Sequence, residues 1–154
     1  MGVADPALVD YISELLVRFV HCDAIFAVRN LAGRRLDQIT EMLAEAEARL
    51  GTSRRNVHRH IGDFTLFWTG VYPEALRRMQ TTQNADHVLV FQREGKRAYY
   101  IASTIPGENA DQENALLERL SHDFELCQYG LAEVRREWER RDPDGGQLGA
   151  LFID

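Results

Sequence analysis

Apolar residues recur at intervals of three and four along most of this chain, the repeat of a helix with one buried face. The first run is Leu8, Ile12, Leu15, Phe19, Cys22 and Phe26, widened by Val9, Leu16 and Val20. Asp5-Pro6 ahead of it reads as a helix opening: a side-chain cap, then a proline whose missing N–H is not needed there. The spacing predicts a helix over about 6–29, ended before Gly33. Leu36, Ile39, Leu43, Ala46 and Leu50 repeat the pattern in a second helix, closed by Gly51 and carrying Glu41, Glu45 and Glu47 outward.

The stretch 52–76 differs in kind. Thr52 or Ser53 is expected to cap it, and Val57, Ile61, Phe64 and Trp68 form its seam. Leu66 and Phe67 make its second half apolar almost all round, as in a helix placed inside a bundle. Gly70 is expected to stop it, and Pro73 to open a short helical piece with Leu76 and Met79. Connections this short favour antiparallel neighbours.

Residues 86–104 fit two patterns. As strands, Val88–Gln92 and Arg97–Ala102 make a hairpin about Glu94-Gly95-Lys96. As a helix capped by Asp86, Val88, Phe91, Gly95, Tyr99 and Ala102 share a face. An isolated hairpin among helices is marginally stable, so the helix is the expectation. Beyond Pro106-Gly107, Leu117, Leu120, Phe124, Cys127, Leu131, Val134 and Trp138 predict one long helix over about 110–141. The sequence thus predicts an all-α, single-domain bundle of five or six helices, with a buried central helix and the first and last as its longest walls. The domain spans 1–142, and 143–154 reads as a flexible C-terminal tail with an apolar end.

Composition narrows the function classes. A chain of 154 residues suits one core, and a net charge of −6 disfavours nonspecific binding to nucleic acid or anionic membrane. Cys22 and Cys127 fall on seams and form no motif, so both read as small core residues. With no secretory start and no long apolar span, a cytoplasmic setting is expected.

Gly62-Asp63-x-x-Leu66-Phe67-x-x-Gly70, followed by Gly95-x-x-Ala98-Tyr99, resembles a pattern in helical bacterial proteins of unknown function. About a third of the chain is involved. Trp68-Thr69 before Gly70, and the lack of a paired tyrosine ahead of Gly95, depart from that pattern. The resemblance implies a helix over 86–104 and brings no activity, cofactor or catalytic residue.

Candidate chemistry is sparse. There is no phosphate-binding glycine loop, nucleophile elbow or dinucleotide fingerprint. His122-Asp123 is too short a match to denote a metal-dependent phosphohydrolase, and His122 with Glu118 and Glu125 reads as a solvated face. His58 and His60 lie about 200° apart on a helix and cannot share a metal ion, whereas His60 and Asp63, three apart, can. Asp63 itself follows Gly62 within an apolar helix, where a carboxylate needs a partner. A structural pairing with arginine or tyrosine is the reading preferred over a catalytic carboxylate. Arg54, Arg55, His58 and Arg59 gather in the first two turns of the central helix, against its dipole. Pairing with Glu45 and Glu47 is the plain account, and an anion site is the sharper one. Leu148, Leu151, Phe152 and Ile153 form a candidate docking tail, for this bundle or for a partner.

Three function classes follow. The favoured one is a non-enzymatic protein-interaction or regulatory module, without cofactor, acting through a protein partner or self-association. The second is a small-anion-binding sensor or enzyme using Arg54, Arg55, His58 and Arg59. The third is a helical metalloprotein around His60 and Asp63.

Overall fold

A computed structural model describes residues 5–20, 38–78, 87–107 and 110–141; for Val20 and Arg78 the backbone alone is described. Among them are seven helices and no strand: α1 (Pro6–Val20), α2 (Ile39–Ala48), α3 (Gly51–Val71), α4 (Pro73–Arg78), α5 (His87–Thr104), α6 (Ala110–His122) and α7 (Phe124–Arg141). The chain is an all-α domain arranged about α3, which packs against α1, α2, α4, α5 and α7. The expected course of the first helix over 21–29 lies outside the described residues.

The core follows the predicted seams of α1, α3, α6 and α7, whereas in α2 Met42 is fully buried and Leu50, expected on the seam, is 82 % exposed. Leu8, Leu15 and Phe19 of α1 are fully buried, as are Ile61, Leu66 and Phe67 of α3 and Leu117, Leu120, Phe124, Cys127 and Leu131 of α6 and α7. Each large apolar side chain so buried contributes about 1.5–3 kcal/mol. Phe19 meets Phe67 with ring centroids 5.1 Å apart, joining α1 to α3. The hydroxyls of Thr65 and Thr69 point into this apolar region and donate to the carbonyls of Ile61 and Thr65, four residues back, at 2.8 and 2.7 Å. Their polarity is thereby satisfied within α3 itself.

Residues 87–104 form helix α5, burying Gly95, Ala98, Tyr99 and Ala102, and the expected cap Asp86 lies outside the described residues. That is a three-four repeat, which a hairpin would have split between two faces.

Three local expectations differ. The predicted last helix is interrupted at Asp123, which raises the helix number to seven. The interruption is slight, since Asp123 N–H still donates to Arg119 O and Asp123 O still accepts from Cys127 N–H. Gly70 remains helical, and α3 ends a residue later at Val71. A Cβ on Gly70 would lie 2.9 Å from Leu131 Cβ, so this glycine serves the close passage of α7. The cap of α3 is Leu50, without a side-chain hydrogen bond, and not Thr52 or Ser53. The corner from α2 is made instead by Gly51 in the left-handed region, φ +59°, where a side chain is strained.

At the other end of α3, Arg135 of α7 donates to Val71 O at 2.8 Å and lies 4.7 Å from the Tyr72 ring centre. A helix C-terminus leaves carbonyls unpaired, and a cation there is favourable.

Gly62 and Gly130 should respond oppositely to alanine. At Gly62 an added Cβ would sit 2.5 Å from Cδ1 and Cε1 of Tyr99, a ring locked in the core, whereas at Gly130 it would meet nothing within 4 Å. Gly62→Ala should destabilise by about 1–3 kcal/mol through overpacking. Gly130→Ala, inside α7, should stabilise by roughly 0.5–1 kcal/mol. Urea unfolding of both variants checks the pair of signs.

Candidate functional site

The polar residues of α3 divide by face. Asn56, Arg59, His60 and Asp63 share one side, by their spacing of three, one and three. Arg54, His58, Ile61 and Thr65 share the opposite one. The first side, with Arg18 of α1 and Arg49 at the end of α2, lines a cavity of about 220 Å³ walled also by Val57.

At the base of this cavity is Asp63, 1 % exposed. Its Oδ1 accepts the hydroxyls of Tyr11 and Tyr99, each at 2.7 Å, and its Oδ2 accepts Arg18 Nη2 at 3.2 Å. Burial, reinforced by the Asp63 charge, raises both phenol pKa values well above the ordinary tyrosine value. Both tyrosines therefore stay protonated and donate to the Asp63 carboxyl group. Three helices meet on one side chain: α1 through Tyr11 and Arg18, α3 through Asp63, α5 through Tyr99.

The GD and GxxAY segments acquire a physical meaning here. Gly62 lacks a side chain where the Tyr99 ring lies across α3, and the next residue receives the Tyr99 hydroxyl. Gly95, one turn before Tyr99, is likewise overlain by Thr65 and Phe124. The two motifs are the two sides of one α3–α5 crossing.

The basic cluster predicted at the start of α3 does not act as a unit. Arg55 is buried and donates to Asn114 Oδ1 at 3.1 Å through Nε and 2.7 Å through Nη2, with Glu113 3.4 Å away. Arg59 donates to Glu113 Oε1 at 2.8 Å, and Arg54 approaches Glu47 at 3.7 Å. The carboxylate chiefly engaged thus belongs to α6 and not to α2, where Glu45 is taken by Arg49 at 2.8 Å. Of the four cluster residues, Arg59 alone lines the cavity.

His60 reaches the cavity from a position stacked on Phe19, ring centroids 5.9 Å apart. His60 and Asp63 do share a face, yet no group of three or more His, Cys, Asp or Glu that could hold a metal ion occurs among the described residues. Cys127 is buried, and burial raises its thiol pKa to about 12, which makes it a poor nucleophile. His122 is exposed beside Glu118, and Glu125 is instead bonded to Lys96 at 2.8 Å. Leu148, Leu151, Phe152 and Ile153 lie outside the described residues.

Sequence reasoning did not find Arg18, Arg49, Tyr11 or Tyr99 as site residues. One signal was present: Tyr11 and Arg18 are seven apart, on one face of α1 beside its apolar seam.

Replacing Asp63 by asparagine should cost about 2–3 kcal/mol, the scale of a hydrogen bond to a charged group. Arg18 is 47 % exposed at its side chain and can turn to water, so the loss falls mainly on the two phenols. Thermal melts of Asp63→Asn read this directly, and an unchanged midpoint would remove the carboxylate from its bracing role.

His58, 3 % exposed, has no hydrogen-bond partner on either ring nitrogen among the described residues. Burial, then the charges of Arg54 and Arg97, lower its pKa below 6.5, while Glu47 opposes them. The unfolded chain therefore takes up a proton before the folded one does. Stability is full above about pH 6.5 and falls as the pH drops from there to the folded-state value. His58→Leu should flatten this part of the stability profile whatever its stability at pH 8.

Comparison with known proteins finds no matching protein family, no matching curated protein and no matching solved structure.

Proposed function

We propose that this protein is a non-enzymatic regulatory module that binds a small anion in the cavity between α1, α2 and α3. The observation that carries this reading is the lining: Arg18, Arg49, Arg59, Asn56 and His60 converge from three helices on one space. Guanidinium groups present five N–H donors in a planar fork suited to carboxylate and phosphate. Arg18 and Arg59 each commit one nitrogen to the bonds described above, leaving further donors on each. At about 220 Å³ the space is smaller than the ~300 Å³ at which pockets for drug-sized ligands begin. That size favours a small ion or short organic acid over a nucleotide.

Several features support binding without catalysis. Asp63 already accepts three hydrogen bonds, and both phenols are held protonated, so none of these three side chains offers a free base or an activated nucleophile. Three arginines around His60 and Asp63 also disfavour a metal cation there.

A second reading, a protein-docking surface, is favoured by one feature of α5. Leu89 and Tyr100 are 61 % and 52 % exposed and lie eleven residues apart, hence on nearly the same outward face, with Arg93 and Arg97 between them.

The anion reading is tested by thermal shift in a chloride background with formate, acetate, phosphate and sulfate. A ligand present at a hundred times its Kd adds about 2.7 kcal/mol of stability by mass action. Asn56→Asp places a negative charge at the cavity wall on an exposed residue and should diminish that increment. Equal stabilisation of both proteins by every salt would indicate exclusion from the surface and not a site.

A further inference from the structure

The charges around the cavity point to how much negative charge its ligand carries. Three arginines line the space, and each is already joined to a carboxylate: Arg18 to Asp63, Arg49 to Glu45, Arg59 to Glu113. Glu113 is shared with the buried Arg55, 3.4 Å away, so among the described residues four cations stand against three anions, a surplus of one. Two of those carboxylates are well buried, Asp63 at 1 % and Glu45 at 7 % exposure, so solvent screens them poorly. A polyvalent anion entering here meets further N–H donors on Arg18 and Arg59 but a surplus of only one positive charge, and sheds a large hydration shell to do so. A singly charged, planar anion needs less. Its two oxygens match one guanidinium fork, and the buried Val57 beside the arginines supplies an apolar surface for a short hydrocarbon portion.

We infer that the ligand of this cavity is a small monocarboxylate, and that the site selects against divalent oxyanions such as sulfate. This inference rests on the anion-binding reading above and adds a ligand class to it. It also distinguishes the cavity from an ordinary phosphate site, where surplus cations and helix N-terminal N–H groups accumulate without matched carboxylates.

Calorimetric titration of the full chain with acetate, propionate, nitrate and sulfate, at matched ionic strength in chloride, reads the selectivity. Acetate and propionate should bind at least as tightly as nitrate and roughly tenfold more tightly than sulfate. Asn56→Asp should weaken the carboxylates by about fivefold, the effect of one unit charge at short range in a wet site. Circular dichroism establishes that the variant is folded. Sulfate binding as tightly as acetate or tighter, and weakened by Asn56→Asp, overturns the monocarboxylate inference while leaving an anion site in place. No binding of any of the four above the chloride background overturns the site and the inference together. Carboxylate binding that is indifferent to Asn56→Asp places the ligand elsewhere and overturns the inference for this cavity.

Discussion

A carboxylate in the middle of a helical core is the constraint on which this structure depends. Unpartnered, Asp63 would be prohibitively costly to bury, and a neutral acid would lose its reason to be there. Two phenols and a guanidinium resolve the cost, and they come from α1 and α5, on either side of α3. Hydrophobic burial alone would tolerate sliding of these helices by a turn. Hydrogen bonds of 2.7 Å to one oxygen do not, because a one-turn shift moves a hydroxyl by about 5.4 Å. Asp63 therefore sets register where the apolar seams set only contact.

That register carries a steric condition. For the Tyr99 hydroxyl to reach Asp63, its ring must lie across the backbone of α3, and Gly62 supplies the space. The backbone of α5 comes equally close at Gly95, over Thr65, whose hydroxyl is turned back onto its own helix. Glycine is a poor helix former, and both glycines sit in helix interiors. Their conformational cost is offset by close packing and by the hydrogen bonds that closeness permits.

The helices were legible in the sequence because periodicity is local. The seams of α1, α3, α6 and α7 can be read within a dozen residues of any point, and the buried set matches them at Leu15, Ile61, Leu120 and Leu131. The single-residue interruption at Asp123 leaves the period intact on either side, so nothing in the pattern announces it. Asp63 was legible as a residue in need of partners, since a carboxylate amid Ile61, Phe64 and Leu66 has few alternatives. Its partners were not. They stand 52, 45 and 36 residues away, and sequence order does not say which helix faces meet. The same holds for the cavity: Arg18, Arg49 and Arg59 are unremarkable singly and line one space only when α1, α2 and α3 converge. The conspicuous run of Arg54, Arg55, His58 and Arg59 misled for the converse reason. Adjacency in sequence spreads side chains around a helix, sending Arg55 toward Asn114 and His58 to the side opposite the cavity.

The bracing centre and the cavity are built from shared residues, and this limits what the cavity can hold. Arg18 and Asp63 belong to both. A ligand that drew Arg18 fully away would leave Asp63 with the two phenols alone, while Tyr11 and Tyr99 stay fixed by the core. Arg18 is half exposed and keeps nitrogens beyond the one given to Asp63, so it can serve both partners at once. A weakly demanding ligand would be accommodated in this way, by donors additional to the ion pair. A strongly charged one would compete with Asp63 for the same cation, and its binding would be opposed by the stability of the crossing between α1, α3 and α5. The surplus of a single positive charge among the described residues and the sharing of Arg18 thus act in the same direction: both would favour an anion of low charge.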